Sequence, residues 1–254
     1  MLGFTSLLSL LFVLAGVLSA RFELLPLGTS FSIFALSLVA CVLVSMAAAA
    51  LIFRRLARKQ RLGKEPLWLC LCLLPVVVVV GRVGLAGFQA PAIHDISTDL
   101  ERPPAFAFAQ SERVPGDNTL EHGGVSLAEQ QRQGYPQLKP LHVNVDQAEA
   151  WAAIKRVIAE NNWRVLGENK NRGHIEAVAT TPLMGFADDI VVRISAETTA
   201  VGIVAESSDG QSPSPGENLV IDVRSVSRIG VSDLGANAAR IESFLEALQN
   251  QLKN

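Results

Sequence analysis

The chain has 254 residues, of which 49% are hydrophobic and 18% charged, with 22 Lys/Arg against 24 Asp/Glu for a formal net charge of −2. The charge is divided unevenly. Residues 1–90 hold eight Lys/Arg and two Asp/Glu, whereas residues 91–254 hold fourteen and twenty-two. An acidic second half repels phosphate backbones and argues against nucleic acid as a partner.

Three apolar runs precede residue 95. Leu2 to Ala20 and Leu24 to Phe53 are uncharged over nineteen and thirty residues, and a third runs from Pro66 past Arg82 to Phe88. A bilayer core of about 30 Å is crossed by about 20 helical residues. The runs therefore predict transmembrane helices at about 2–20, 31–53 and 67–88, in a membrane domain of residues 1–90. Arg82 is tolerated near the interface, where a long side chain reaches headgroups, and Pro75 predicts a kink. The first run lacks the basic start of a signal peptide, and Leu18 is large for the position three before a cut at Ala20, so the run is read as a retained helix.

Orientation follows from the cations between the second and third runs. Arg54, Arg55, Arg58, Lys59, Arg61 and Lys64 stand together with no acid before Glu65, whereas the loop Arg21-Phe22-Glu23 is neutral. Short cytoplasmic loops collect Lys and Arg. This predicts an inner-membrane protein with a cytoplasmic N-terminus and a periplasmic or extracytoplasmic C-terminal domain. Cys41, Cys70 and Cys72 all lie in the apolar runs, so the external part is disulfide-free. Cys70 and Cys72 point about 200° apart on a helix and pack in the bundle rather than share a metal. The first two runs carry no ionisable side chain, which weakens a transporter reading.

Residues 91–139 are rich in Pro, Gly, Gln and charge and predict an extended connector lying along the following domain, anchored by Phe106 and Phe108. Order resumes at residue 140. Leu141, Val143 and Val145 alternate with His142 and Asn144 as a short strand. Asp146 caps a helix, Glu149 is placed for a capping box, and Trp151, Ile154, Val157 and Ile158 form its apolar stripe. Strands are expected at Trp163–Gly167, His174–Thr180, Ile190–Ser195, Ala200–Ala205 and from Leu219 on, with a flexible loop at Ser207–Asn218. Ile241, Phe244, Leu245, Leu248 and Leu252 mark a closing amphipathic helix. The fold class is three N-terminal transmembrane α-helices plus an α+β two-layer soluble domain of residues 140–254, an antiparallel sheet with helices on one face.

The densest polar patterning runs from Asp222 to Ile241. Strand alternation sets Asp222, Arg224 and Arg228 on one face and Ser225 and Ser227 on the other. Ser232 or Asp233 can cap the closing helix, with Asn237 and Arg240 in its first turn. This stretch, together with Ile93-His94-Asp95-Ile96-Ser97-Thr98-Asp99, Pro103-Pro104-Ala105-Phe106 and Asp188-Asp189-Ile190-Val191-Val192-Arg193, resembles the domain of unknown function 1499 family from about residue 93 to 250. The spacing Arg-Ser-x-Ser-Arg-x-Gly-x-x-Asp-x-Gly-x-Asn-x-x-Arg-Ile carries the resemblance. The segment Thr198–Asn218 is longer than that family's usual connection. The resemblance implies a membrane-tethered or exported envelope domain and supplies no activity.

Two uses of the motif are open. In one, Arg224, Arg228 and Arg240 converge on a phosphate, lipid headgroup or carboxylate, with Ser225, Ser227, Asp233 and Asn237 around them. In the other, Asp188, Asp189, Asp222 and Asp233 neutralise those arginines in a structural ion-pair lattice, and four carboxylates for three arginines favour it. The four histidines, His94, His122, His142 and His174, are too scattered for a metal, and His94 with Asp95 and Asp99 lacks ligand spacing. Ser225 and Ser227 sit in no nucleophile elbow. The apolar lip Thr180–Phe186 is a lipid or partner contact or a buried loop. No cofactor is implied. The reading is a membrane-anchored binding or interaction module whose partner is an envelope protein or small anion, the alternative being an enzyme or lipid-handling protein.

Overall fold

A computed structural model describes residues 1–197 and 218–253. The strand expected at Ala200–Ala205 and all but the last residue of the Ser207–Asn218 loop lie outside the described residues. The chain divides into two compact units, residues 1–88 with 181–185, and residues 89–180 with 186–254.

The first unit contains α1 (Leu2–Arg21), α2 (Leu27–Ala57) and α3 (Glu65–Gln89), each long and apolar enough to cross a membrane. Lipid tails are as apolar as leucine, so such helices associate through close packing of small residues rather than through hydrophobic burial. The buried positions obey this. Ser6, Ser9, Gly16 and Ser19 of α1 and Ser30, Ser37, Cys41, Ser45 and Ala48 of α2 are buried, while the leucines face outward. A Cβ on Gly16 would lie 2.8 Å from the Phe34 nitrogen, and the Ser19 hydroxyl donates to Ser30 Oγ at 3.0 Å. The cationic turn is closed by Glu65, which pairs with Arg55 at 3.0 Å and accepts from the Gly63 amide at 2.7 Å. In α3 the departure from helical dihedrals falls at Gly84 (φ 69, ψ 165), not at the expected Pro75; glycine takes positive φ without a Cβ clash. Cys41 and Cys72 are buried and Cys70 is exposed.

The second unit is built on an antiparallel sheet with helices against it. Residues 91–139 are not merely an extended connector. They supply β1 (Asp95–Ser97), a 3-10 turn at Ala109–Glu112 and α4 (Gly124–Gly134). Then come β2 (Leu141–Val143), α5 (Gln147–Glu160), β3 (Arg164–Asn169), β4 (His174–Thr180), β5 (Ala187–Ala196), β6 (Leu219–Ser227) and α6 (Ala236–Leu252). The strand order among the described residues is β1-β6-β5-β4-β3. β1 and β2 share one edge of β6 end to end, Ile96 opposite Ser225 and His142 opposite Val220.

Local chemistry explains the boundaries. Asp146 accepts from the Glu149 amide at 2.7 Å and starts α5, as an N-cap carboxylate does. Asp233 accepts from the Gly235 and Asn237 amides, both at 2.8 Å, and starts α6. Gly173 takes φ 59 in the β3–β4 turn, and a Cβ there would meet the Ile194 carbonyl at 2.4 Å.

The core lies between the sheet and α5 and α6. Ile175, Ala177, Ile190, Val192, Ile221 and Val223 meet Trp151, Ile154, Val157, Ile241, Phe244 and Leu248. Trp163 stacks on Phe244 with ring centroids 5.4 Å apart. A sheet covered on one face alternates buried and exposed positions, but β5 and β6 are buried almost without interruption. Their second face is covered too.

Removing the Phe244 ring takes away a buried aromatic and its stacking partner. Phe244→Ala is expected to cost about 3–5 kcal/mol, against about 1 kcal/mol for Asp146→Ala at the α5 cap. Denaturant titration of the detergent-solubilised full chain, followed by tryptophan fluorescence, measures both.

Candidate functional site

What covers the second face is the stretch between β1 and α4. On that face the sheet presents His174 and Glu176 from β4, Asp189, Val191 and Arg193 from β5, and Asp222, Arg224 and Val226 from β6, as the strand registers require. Most of these side chains are ionisable. A buried charge is tolerated only when it is paired and its hydrogen-bonding capacity is met, and residues 95–121 provide that.

Arg224 is 2% exposed. Its Nε and Nη2 bind the two oxygens of Asp95 at 2.8 Å each, and it donates to the Pro104 carbonyl at 3.1 Å and the Leu120 carbonyl at 2.8 Å. The Phe106 ring stands 5.3 Å from the guanidinium carbon, a cation–π distance. Arg228 binds Asp189 at 2.8 Å, and Arg113 binds the same carboxylate at 2.8 Å. Arg193 joins Asp222 at 2.7 Å to Asp99 at 2.9 Å and donates to the Arg102 carbonyl. Burial raises the Asp99 pKa, but the Arg102 and Glu101 amides and Arg193 outweigh it and leave the carboxyl below its ordinary value.

Glu176 was not among the residues singled out from sequence, and it makes the densest set of bonds. It is fully buried. It accepts from the Ala107, Phe108 and Ala109 amides, at 2.7 Å for the last, and meets His174 Nε2 at 2.6 Å. Phe108 sits directly on Gly167, where a Cβ would come 2.4 Å from the ring. Burial pushes the Glu176 carboxyl up, while the His174 contact and three amides pull it down further, so its net pKa is lowered. Gln131 of α4 was also missed. Its side-chain amide accepts from Ser97 N at 3.0 Å and donates to Ser97 O at 2.6 Å, closing the free edge of β1 as a neighbouring strand would.

The rest of the motif lies on the helix side of the sheet. Ser225 Oγ donates to Asn237 Oδ1 at 2.7 Å, and Asn237 Nδ2 donates to Ser227 Oγ at 2.9 Å and the His94 carbonyl at 3.0 Å. The Ser227 amide donates to that same carbonyl at 2.9 Å. Arg240 donates to Ser225 and Asn237 and pairs with Asp188.

The structure therefore does not bring Arg224, Arg228 and Arg240 together. Arg224 and Arg228 face residues 95–121, and Arg240 faces α6's own side. The expected lattice partners are partly corrected. Asp188 pairs with Arg240 and Asp189 with Arg228, but Asp222 pairs with Arg193, and Arg224 takes Asp95. Asp233 is not the N-cap of α6, which is Gly235, but accepts from the Gly235 and Asn237 amides at the start of that helix. Burial raises the Asp233 pKa, with Asp188 adding to the effect. Among the described residues, no group of three or more His, Cys, Asp or Glu is placed to hold a metal ion. His94 lends its carbonyl rather than its ring to these contacts, while Asp95 and Asp99 bind arginines.

The chain belongs to the family described as protein of unknown function (DUF1499), which matches residues 95–248. A second match, described as bacterial signalling protein N terminal repeat, covers residues 14–63. No curated protein matches the chain. The family match begins at Asp95, the partner of Arg224, and so includes the covering segment with the sheet.

Glu176 gives a pH dependence with a definite sign. Its folded pKa is depressed from 4.5, so its stabilisation is full above that value and is lost as pH falls through the lower folded value. Glu176→Gln is expected to lower the hydrogen-exchange protection of the Ala107, Phe108 and Ala109 amides about ten-fold or more at neutral pH. Protection of the wild type should fall toward that of the variant only in acid. Arg224→Lys keeps the charge but loses the fork that reaches Asp95, Pro104 and Leu120 together. Its expected cost is about 3 kcal/mol in denaturant titration.

Proposed function

Starting from membership of this family, we propose that the chain is a membrane-anchored, extracytoplasmic module of the cell envelope that works by binding rather than by catalysis. The observation that carries this reading is the internal use of the polar motif. Each of Arg224, Arg228 and Arg240 already holds a carboxylate at ion-pair distance, and Ser225 and Ser227 are bound to Asn237. An anion would have to displace a buried carboxylate from each arginine, at the cost of leaving that carboxylate unpaired. The enzyme or lipid-handling alternative depended on free, converging guanidiniums and loses its support.

The partner is another envelope protein or the lipid surface. The signalling repeat matched at residues 14–63 supports a membrane position for α1 and α2 and is compatible with a module that reports on, or assembles with, other membrane components. Sidedness rests on six cations, Arg54 and Arg55 in the last turn of α2 and Arg58, Lys59, Arg61 and Lys64 before α3, which hold the turn in the cytoplasm and put residues 89–254 on the opposite side of an inner membrane. That arrangement keeps the acidic domain away from nucleic acid and suits its lack of cysteine.

Protease added to right-side-out membrane vesicles is expected to digest the domain of residues 89–254, and inverted vesicles should protect it. Replacing Arg54, Arg55, Arg58, Lys59, Arg61 and Lys64 by Gln, with two Lys added beside Arg21, should invert the pattern. Protection of the wild type in right-side-out vesicles would refute the assigned sidedness.

A further inference from the structure

The sheet of the second unit has two chemically different ends. At one end β3 turns into β4 through Lys170, Asn171 and Arg172. At the other, β4 leads to β5, where Thr180 stands opposite Ala187, and β6 ends at Ser227 opposite Asp188. The residues that leave the sheet at this second end, Thr181–Phe186 and Arg228–Gly235, contain two charged side chains, Arg228, which is turned back onto Asp189, and Asp233. The Asp233 carboxylate is bound to the amides of Gly235 and Asn237.

The same end holds the chain as it comes from α3. The first strand begins at Asp95 opposite Val226, the His94 carbonyl is bound by Ser227 and Asn237, and the Asp233 amide donates to the Ile93 carbonyl at 3.2 Å. Three residues, Ala90, Pro91 and Ala92, separate Ile93 from Gln89, the last residue of α3, and the four Cα-to-Cα steps span about 14 Å at most. The Ile229–Gly235 loop is thus tied by a short tether to the end of a membrane-spanning helix.

This loop carries two local costs. Val231 is 79% exposed and Leu234 is 42% exposed, which leaves apolar surface in water. Leu234 also has φ 53, in the left-handed region, where a Cβ crowds the following carbonyl. An apolar side chain held outward by strained backbone points to a use outside the fold. Pro182 and Leu183 in the β4–β5 connection are exposed as well.

We propose that the β6–α6 loop docks on the bilayer that holds the three helices, with Val231 and Leu234 immersed at the headgroup–acyl boundary. Continuity with the anchoring helix selects lipid as the occupant over a second protein. Apart from Asp233, whose carboxylate is bound to backbone amides, Ile229–Gly235 carries no charge, which suits a boundary where apolar side chains gain from burial. Docking uses the membrane anchor but not its sidedness, so an inverted topology in the protease assay would leave it standing.

The test uses the full chain in nanodiscs of phosphatidylcholine and phosphatidylglycerol, with Cys41, Cys70 and Cys72 changed to Ala. A nitroxide is attached at Val231→Cys and, as the control at the opposite end of the sheet, at Arg172→Cys. Both positions are exposed, so neither substitution disturbs packing. Collision with molecular oxygen, which concentrates in lipid, is compared with collision with a water-soluble nickel chelate. The Val231 label is expected to favour oxygen and the Arg172 label the chelate, an inversion of the ratio between the two ends. A Val231 label with the aqueous profile of Arg172 overturns the proposal. So does a Val231 label shielded from both reagents, which is the signature of a protein covering the loop.

Discussion

The Asp95–Arg224 pair is the constraint on which the second unit depends. It joins the first three-residue strand to the longest-buried one, across 129 positions of sequence, and does so where water does not reach either group. A strand of three residues contributes few ladder bonds, and a slip by one position would turn Asp95 away from Arg224. The pair therefore sets the register of β1. Once β1 is fixed, the chain that follows must cross the second face of the sheet. There Pro104 and Leu120 offer carbonyls to the same guanidinium and Phe106 covers it. Buried ion pairs are poor sources of net stability, because desolvation offsets most of the attraction. Their better-attested use is to choose one arrangement among several, and here the arrangement is the path of residues 95–121.

The choice of arginine over lysine follows from geometry. Four hydrogen bonds leave the Arg224 guanidinium toward three separate segments of chain. An ammonium with three donors at one point cannot span them. Glu176 is the complementary device. It gathers three successive amides, Ala107 to Ala109, and ends the crossing where the 3-10 turn begins. Between Arg224 and Glu176 the covering segment is held mainly through its backbone. Its composition, rich in proline and polar residues, is free of the apolar periodicity that a core-packed segment needs.

That mode of attachment also explains what was legible in the sequence. The three spans followed from uncharged length, and α5 from its Asp146 cap and apolar stripe. The division of β6, with Asp222, Arg224 and Arg228 on one side and Ser225 and Ser227 on the other, followed from strand alternation. In each case the signal is local. The partner of Arg224 was not local, and nothing near Asp222 could identify Asp95 as that partner. The short helix α4 was missed because its buried residues are Ala128 and Gln131, too small and too polar to mark a face. Gln131 is buried for its bonds to the Ser97 backbone, and backbone partners have no sequence signature. Glu176 read as one polar residue in an apolar strand because the amides it binds belong to a segment without pattern.

The motif that makes the chain recognisable is thus divided by the sheet into two attachments. On one face Arg224 and Arg228 hold residues 95–121. On the other, Ser227 and Asn237 hold the carbonyl of His94, five residues beyond the last residue of α3, while Asp233 shapes the start of α6. Both attachments act on the chain that emerges from the last membrane helix. A spacing this dense in polar groups resembles a binding site because buried attachments and binding sites draw on the same chemistry, arginine forks, caps and hydroxyl bridges. The difference lies in whether a side chain ends on the protein or faces outward, and these end on the protein. Chemistry directed at a partner must then come from surfaces that the family spacing does not define. Val231 and Leu234 offer such a surface: they stand at places the spacing leaves open, in the loop that Gly230, Asp233 and Gly235 shape, and they are exposed and outside the core.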